Sequence, residues 1–104
     1  MTIQLLGEYS ADVNKGRKVA FDCDGTLWDY DRKPRHEIID LFRAFEALGC
    51  HMIIWSGGGI GYAEQAARNL GLKAQVVVKG SVQVDISFDD EGLGPNQTLV
   101  DMRV

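Results

Sequence analysis

Apolar positions in this chain alternate between short runs and helical stripes. A first run at 18–22, with Val19, Ala20 and Phe21 at its centre, stops at the carboxylate of Asp22, and Asp24-Gly25 then signals a turn. Ile38, Leu41, Phe42, Phe45 and Leu48 recur at helical spacing, with Pro34 placed for the first turn and Gly49 for the stop. A second apolar run at 51–55 breaks into Ser56-Gly57-Gly58-Gly59. Ile60, Ala63, Ala66, Ala67 and Leu70 then mark the buried side of a second helix, which Gly71 ends. A β-branched stretch at 75–78 leads to Lys79, 82–88 alternates into Asp89-Asp90, and 98–104 reads as a last edge strand after the Gly92-Leu93-Gly94-Pro95 break. Residues 1–17 carry little periodicity beyond Ile3, Leu5 and Leu6, so they read as an N-terminal extension of a single domain over 1–104.

Strand, polar loop, helix and glycine, repeated, predict a parallel sheet with helices packed against it. The expected fold class is α/β, a three-layer Rossmann-like parallel sheet with helices on both faces. Right-handed crossovers would gather the loops that follow the strands at one edge.

Composition narrows the function. The 104 residues are 45% hydrophobic and 25% charged, ordinary proportions for one small globular core. The longest apolar run, 52–55, is far short of the roughly 20 residues a membrane span needs, and the N-terminus lacks a signal pattern. A soluble, cytoplasmic chain with no membrane partner is expected. Fifteen acidic against 11 basic residues give a net charge of −4, and the basic residues are scattered. Nucleic-acid binding is disfavoured, because phosphate-backbone affinity needs a basic footprint. Cys23 and Cys50 would lie at opposite ends of neighbouring strands, roughly 20 Å apart, so both are expected to be reduced thiols.

The candidate chemistry lies at the strand ends: Asp22 and Asp24, then Ser56, then Lys79, then Asp89 and Asp90. Open parallel sheets bind ligands outside the carboxyl ends of their strands. Two carboxylates at i and i+2 share a side, so one could attack phosphorus while the other handles protons. Gly25 would let the backbone approach a ligand. Anions facing a phosphoryl group repel it, so such a site calls for a hard cation such as Mg²⁺, for which Asp89 and Asp90 supply further ligands. The glycines after Ser56 would bring backbone N–H groups and a helix N-terminus toward phosphate.

The order Asp22-Cys23-Asp24-Gly25-Thr26, Ser56, Lys79, Asp89-Asp90 resembles the four motifs of the haloacid dehalogenase superfamily of phosphotransferases over roughly 18–90. The resemblance implies a Rossmann-like fold and Mg²⁺-dependent phosphoryl transfer from a phosphorylated substrate. Asp22 would be the nucleophile and a metal ligand. Asp24 would be the acid and then the base, its carbonyl also on the metal. Ser56 and Lys79 would hold the phosphoryl group, and Asp89 and Asp90 would hold Mg²⁺. Thr26 and Gly57 complete the expected substrate contacts, with Trp28, and Tyr30 beside it, in the flap facing the leaving group. Only residues 27–35 separate the first motif from the first helix, which leaves no room for the cap domain common in that superfamily. Capless relatives act on bulky substrates or borrow a cover from a neighbouring subunit, so a homo-oligomer covering the open site is a further expectation. Nine residues separate Lys79 from Asp89, so the helix many relatives place there is missing, and Lys79 is the assignment that departs furthest from the pattern.

Rival readings fit less well. A calcium-binding EF-hand loop starting at Asp22 would need glycine and glutamate where Leu27 and Lys33 stand. A dinucleotide-binding loop starting at Gly57 would need glycine where Tyr62 stands. Asp85, near the start of the fourth strand, reads as a capping group. The leading expectation is a minimal Mg²⁺-dependent phosphatase working through an aspartyl-phosphate at Asp22. The alternatives are a catalytically weak relative that binds phosphorylated ligands or serves in an assembly, and a glycine-rich nucleotide-binding module without chemistry.

Overall fold

The computed structural model describes residues 16–91 and 98–104. All but the end of the expected 1–17 extension, and the break at 92–95, lie outside the described residues. The order of elements is β1 (Lys18–Phe21), α1 (His36–Ala47), β2 (His51–Ile54), α2 (Ile60–Leu70), β3 (Gln75–Val76), β4 (Val84–Asp89) and β5 (Thr98–Arg103). The strands form one sheet in the order β3-β2-β1-β4-β5, and every pairing is parallel. Among the described residues no helix is long and apolar enough to cross a membrane.

The steps from β1 to β2 and from β2 to β3 run in one direction across the sheet. With right-handed crossovers, both helices therefore land on the same face. Packing agrees. Val19, Phe21, Met52, Ile54 and Phe88 share one buried cluster with Ile38 and Phe42 of α1 and with Ala63, Ala66 and Ala67 of α2. Within it Phe21 stacks on Phe88 with ring centroids 4.6 Å apart and meets Phe42 at 5.3 Å. Ala20, Ile53, Trp55 and Val84 form a smaller cluster, flanked by Val77 and Val82.

The α/β Rossmann-like parallel sheet is thus observed, while the expectation of helices on both faces is corrected for the described residues: the second face is covered by the 77–83 segment. That segment must run back along the sheet and pass two strands. A turn at 78–81, with the Ser81 N–H on the Val78 carbonyl, takes up the middle of this seven-residue segment, and no helix forms in it.

Two local expectations also change. Arg35 is the N-cap of α1, so Pro34 stands ahead of the helix and bridges to Trp28 instead of occupying the first turn. Leu41 and Ile60 are exposed rather than part of the buried stripes; Ile60 is the opening residue of α2, before the helix settles onto the sheet. Gly71 does end α2, in the left-handed conformation at φ +69° that glycine adopts without cost.

Candidate active site

From β1 the chain moves outward to β3 and then returns to β4 on the other side of β1. The strand order reverses at the β1/β4 border, and the carboxyl ends beside such a reversal are where open α/β sheets bind ligands. Asp22 directly follows β1, and its N–H donates to the Phe88 carbonyl of β4 at 3.0 Å. The chain then folds tightly: the N–H groups of Thr26 and Trp28 both donate to the Cys23 carbonyl, at 3.1 and 3.3 Å, and that of Gly25 to the Trp28 carbonyl at 2.8 Å. Gly25 has φ +78°, and a Cβ there would sit 2.5 Å from Asp90 Oδ2. The first-motif turn therefore lies against the acidic pair that follows β4.

Charge converges at this border. Lys79 Nζ lies 2.6 Å from Asp89 Oδ2 and 3.6 Å from Asp22 Oδ2. Asp22, Asp89 and Asp90 each bring one carboxylate oxygen within 4.8 Å of the others, a spacing that could hold a cation. Asp89 is fully buried, and its Oδ1 accepts the Glu91 N–H at 2.8 Å. Burial pushes the Asp22 carboxyl up to about 6, with the Lys79 charge opposing and the Asp89 charge adding to the rise. Burial alone would lower the Lys79 ammonium, but its hydrogen bond to Asp89 and the charges of Asp22 and Asp89 hold it above the usual lysine range.

Ser56 is buried at the end of the segment following β2, and its Oγ accepts the Gly58 N–H at 3.0 Å. Asp22, Asp24, Ser56, Gly57, Lys79 and Asp90 line one cleft of about 190 Å³, together with Tyr30, Gly58 and Glu91. The polar residues read from four successive strand ends therefore meet. Lys79 reaches the cleft although β3 ends at Val76, because the 77–83 segment turns there, the Ser81 N–H donating to the Val78 carbonyl at 3.0 Å.

Two expected neighbours, Thr26 and Trp28, stand elsewhere, and Asp85 takes the capping place read for it. Thr26 is fully buried and does not line the cleft, so its expected substrate contact is corrected. Trp28 is also buried; it turns its Nε1–H onto Asp24 Oδ1 at 2.7 Å instead of facing a leaving group. Asp85 lies at the opposite end of the sheet, where its Oδ2 accepts the Lys18 N–H at 2.8 Å and its Oδ1 pairs with Arg17 at 3.5 Å. Cys23 points away from the cleft, its buried thiol donating to the Trp55 carbonyl at 3.6 Å.

Tyr62 is the residue that sequence reasoning missed. Its O–H donates to Asp24 Oδ1 at 2.5 Å. Its place in the first turn of the helix after the Ser56 loop was a usable signal, hidden by its appearance as the residue that spoils a glycine pattern. Tyr30, 70% exposed, hydrogen-bonds Asp90 Oδ2 across the cleft mouth.

No curated protein and no solved structure matches the chain. A family model, that of the haloacid dehalogenase-like hydrolases, matches residues 19–89. The match runs from β1 to the last residue of β4 and takes in Asp22, Asp24, Ser56, Lys79 and Asp89. With that match spanning most of its length, the chain belongs to the haloacid dehalogenase-like hydrolases.

Proposed function

We propose that this hydrolase cleaves phosphomonoesters with the help of Mg²⁺, carrying the phosphoryl group transiently on Asp22. The observation that carries the reading is the meeting of one ammonium and two further carboxylates, those of Asp89 and Asp90, around the buried Asp22. The residues fit the metal: Asp22, Asp89 and Asp90 offer hard oxygen donors within reach of one another, the donor type Mg²⁺ prefers. When bound there, Mg²⁺ would offset the repulsion between phosphoryl oxygens and the aspartates.

The chain's own residues supply the rest. A carboxylate oxygen of Asp22 attacks phosphorus as the bond to the leaving oxygen breaks, and Asp24 gives that oxygen its proton. Lys79 and the Ser56 hydroxyl meet the non-bridging oxygens, with backbone N–H groups at Gly57 beside them. Asp24 then takes a proton from water, the water oxygen bonds to phosphorus, and inorganic phosphate leaves as Asp22 is freed. No domain is inserted at 27–35 to enclose the cleft, which favours substrates whose phosphate sits on a bulky group, or a second copy of the chain as cover.

The test is hydrolysis of nitrophenyl phosphate with and without Mg²⁺, comparing the native chain with Asp22→Asn. Turnover should require both the ion and Asp22, falling by at least about a hundredfold in the variant. Turnover that persists in Asp22→Asn removes the mechanism. Tight phosphate binding with no turnover moves the assignment to a phospho-ligand-binding module.

A further inference from the structure

Asp24 is held in an unusual way for a group that must pass a proton. Two donors from different elements converge on a single oxygen: Trp28 Nε1–H from the flap at 2.7 Å and Tyr62 O–H from α2 at 2.5 Å, both onto Oδ1. The two rings meet edge to face with centroids 5.8 Å apart. The guanidinium of Arg32 caps both, 5.9 Å from the Trp28 ring and 5.3 Å from the Tyr62 ring. Among the described residues Arg32 alone combines a side chain with a left-handed backbone, at φ 63°. Such a conformation persists where surrounding structure enforces it. Here Asp29 enforces it, its Oδ1 accepting the N–H groups of Asp31 and Lys33 at 2.8 and 2.9 Å and its carbonyl that of Arg32 at 2.9 Å.

We propose that Trp28 and Tyr62 are positioning residues that saturate Asp24 Oδ1 and so leave Oδ2 as the oxygen that delivers and retrieves the proton. The inference rests on the phosphatase reading and extends it. A carboxyl group with both oxygens equally available can hold its proton on either one and rotate it away from the substrate. With two hydrogen bonds arriving at Oδ1, that oxygen has no proton to give, and the side chain cannot swing without losing both donors. Arg32 keeps the two rings together, so the flap and α2 act on Asp24 as one clamp. In the transfer step the Oδ2–H bond breaks and the leaving oxygen gains that proton while the phosphorus–oxygen bond opens. In the second step the proton lost by water returns to Oδ2.

The discriminating quantity is how kcat/KM, which reports the step in which the leaving group departs, depends on that group. Nitrophenolate leaves with little acid assistance, whereas the alkoxide from glycerol phosphate needs a proton. In Tyr62→Phe, which keeps the ring against Trp28 and Arg32, the ratio of kcat/KM for glycerol phosphate to that for nitrophenyl phosphate should fall on the order of tenfold. Trp28→Phe should move the ratio in the same direction, and thermal melts of both variants check folding. An unchanged ratio in a folded variant, whether both rates fall equally or neither falls, overturns the positioning role. Absence of Asp22-dependent turnover by the native chain on both substrates instead overturns the phosphatase reading, and the positioning role with it.

Discussion

Asp22 sits where burial and charge oppose each other, and that conflict is measurable without a substrate. Its carboxyl is raised from 3.8 to about 6, chiefly by burial. Between those values the native metal-free protein keeps a proton that the unfolded chain releases, so stability falls as pH rises from about 4 to about 6. The loss is on the order of 3 kcal/mol, because each tenfold difference in proton affinity between the folded and unfolded chain is worth about 1.4 kcal/mol. Asp22→Asn should remove this part of the slope in denaturation midpoints recorded across that range, and Mg²⁺ should flatten it in the native chain by favouring the ionised carboxylate. A slope identical in the native chain and the variant would show that the burial cost is met elsewhere. Gly25 gives a second residue-level test. Gly25→Ala places a Cβ against Asp90 Oδ2 on a backbone at φ +78°, so it should destabilise the protein by about 1–3 kcal/mol and weaken Mg²⁺ binding by displacing Asp90. Calorimetric titration of both proteins with Mg²⁺ reads the second effect.

The strand-end residues were legible because a parallel sheet delivers every such residue to one edge whatever its detailed packing. Tyr62 and Trp28 were not legible as partners of Asp24. Their contact depends on where the first turn of α2 sits relative to the flap, and no local pattern encodes that distance.

At the level of elements, α1 is held by its ring contacts and by its C-terminal hydrogen bonds rather than by its N-terminus. Its N-cap, Arg35, makes no side-chain capping bond, and Phe42 is fully buried against Phe21. Phe42→Ala should therefore cost about 3–5 kcal/mol in chemical denaturation, while Leu41→Ala, one residue away and exposed, should cost less than about 1 kcal/mol. Equal costs would mean that the helix does not pack as described. The periodicity placed both helices to within two residues, since glycine stops and a 3.6-residue stripe are local signals. It put Ile60 and Leu41 on the buried side because a stripe does not tell where along its length a helix meets the sheet. The missing second helical layer was foreshadowed by the short Lys79–Asp89 spacing, yet how the 77–83 segment carries Lys79 back to Asp22 is a tertiary matter.

For the whole molecule, the sequence pattern predicted a parallel sheet but not its strand order. The return of β4 to the far side of β1 is set by which buried faces match, Phe88 stacking on Phe21, and this pairing brings the second pair of aspartates to the first. With no domain inserted over the cleft among the described residues, a phosphorylated peptide should be hydrolysed with a kcat/KM no lower than that of the free phosphoamino acid. A strong preference for the small ester would point instead to an enclosed site.

The border between β1 and β4 divides the proposed catalytic inventory. Asp22, Asp24 and Ser56 belong to the contiguous half that ends with β3; Asp89 and Asp90 belong to the half that begins with β4. Lys79 rides on the segment between them and grips a carboxylate from each. The two halves are joined by these ion pairs as well as by strand pairing, and a chain nicked between Gly80 and Gln83 should yield two fragments, neither with the complete proposed centre, whose reassociation through β1 and β4 could be followed by the return of hydrolysis.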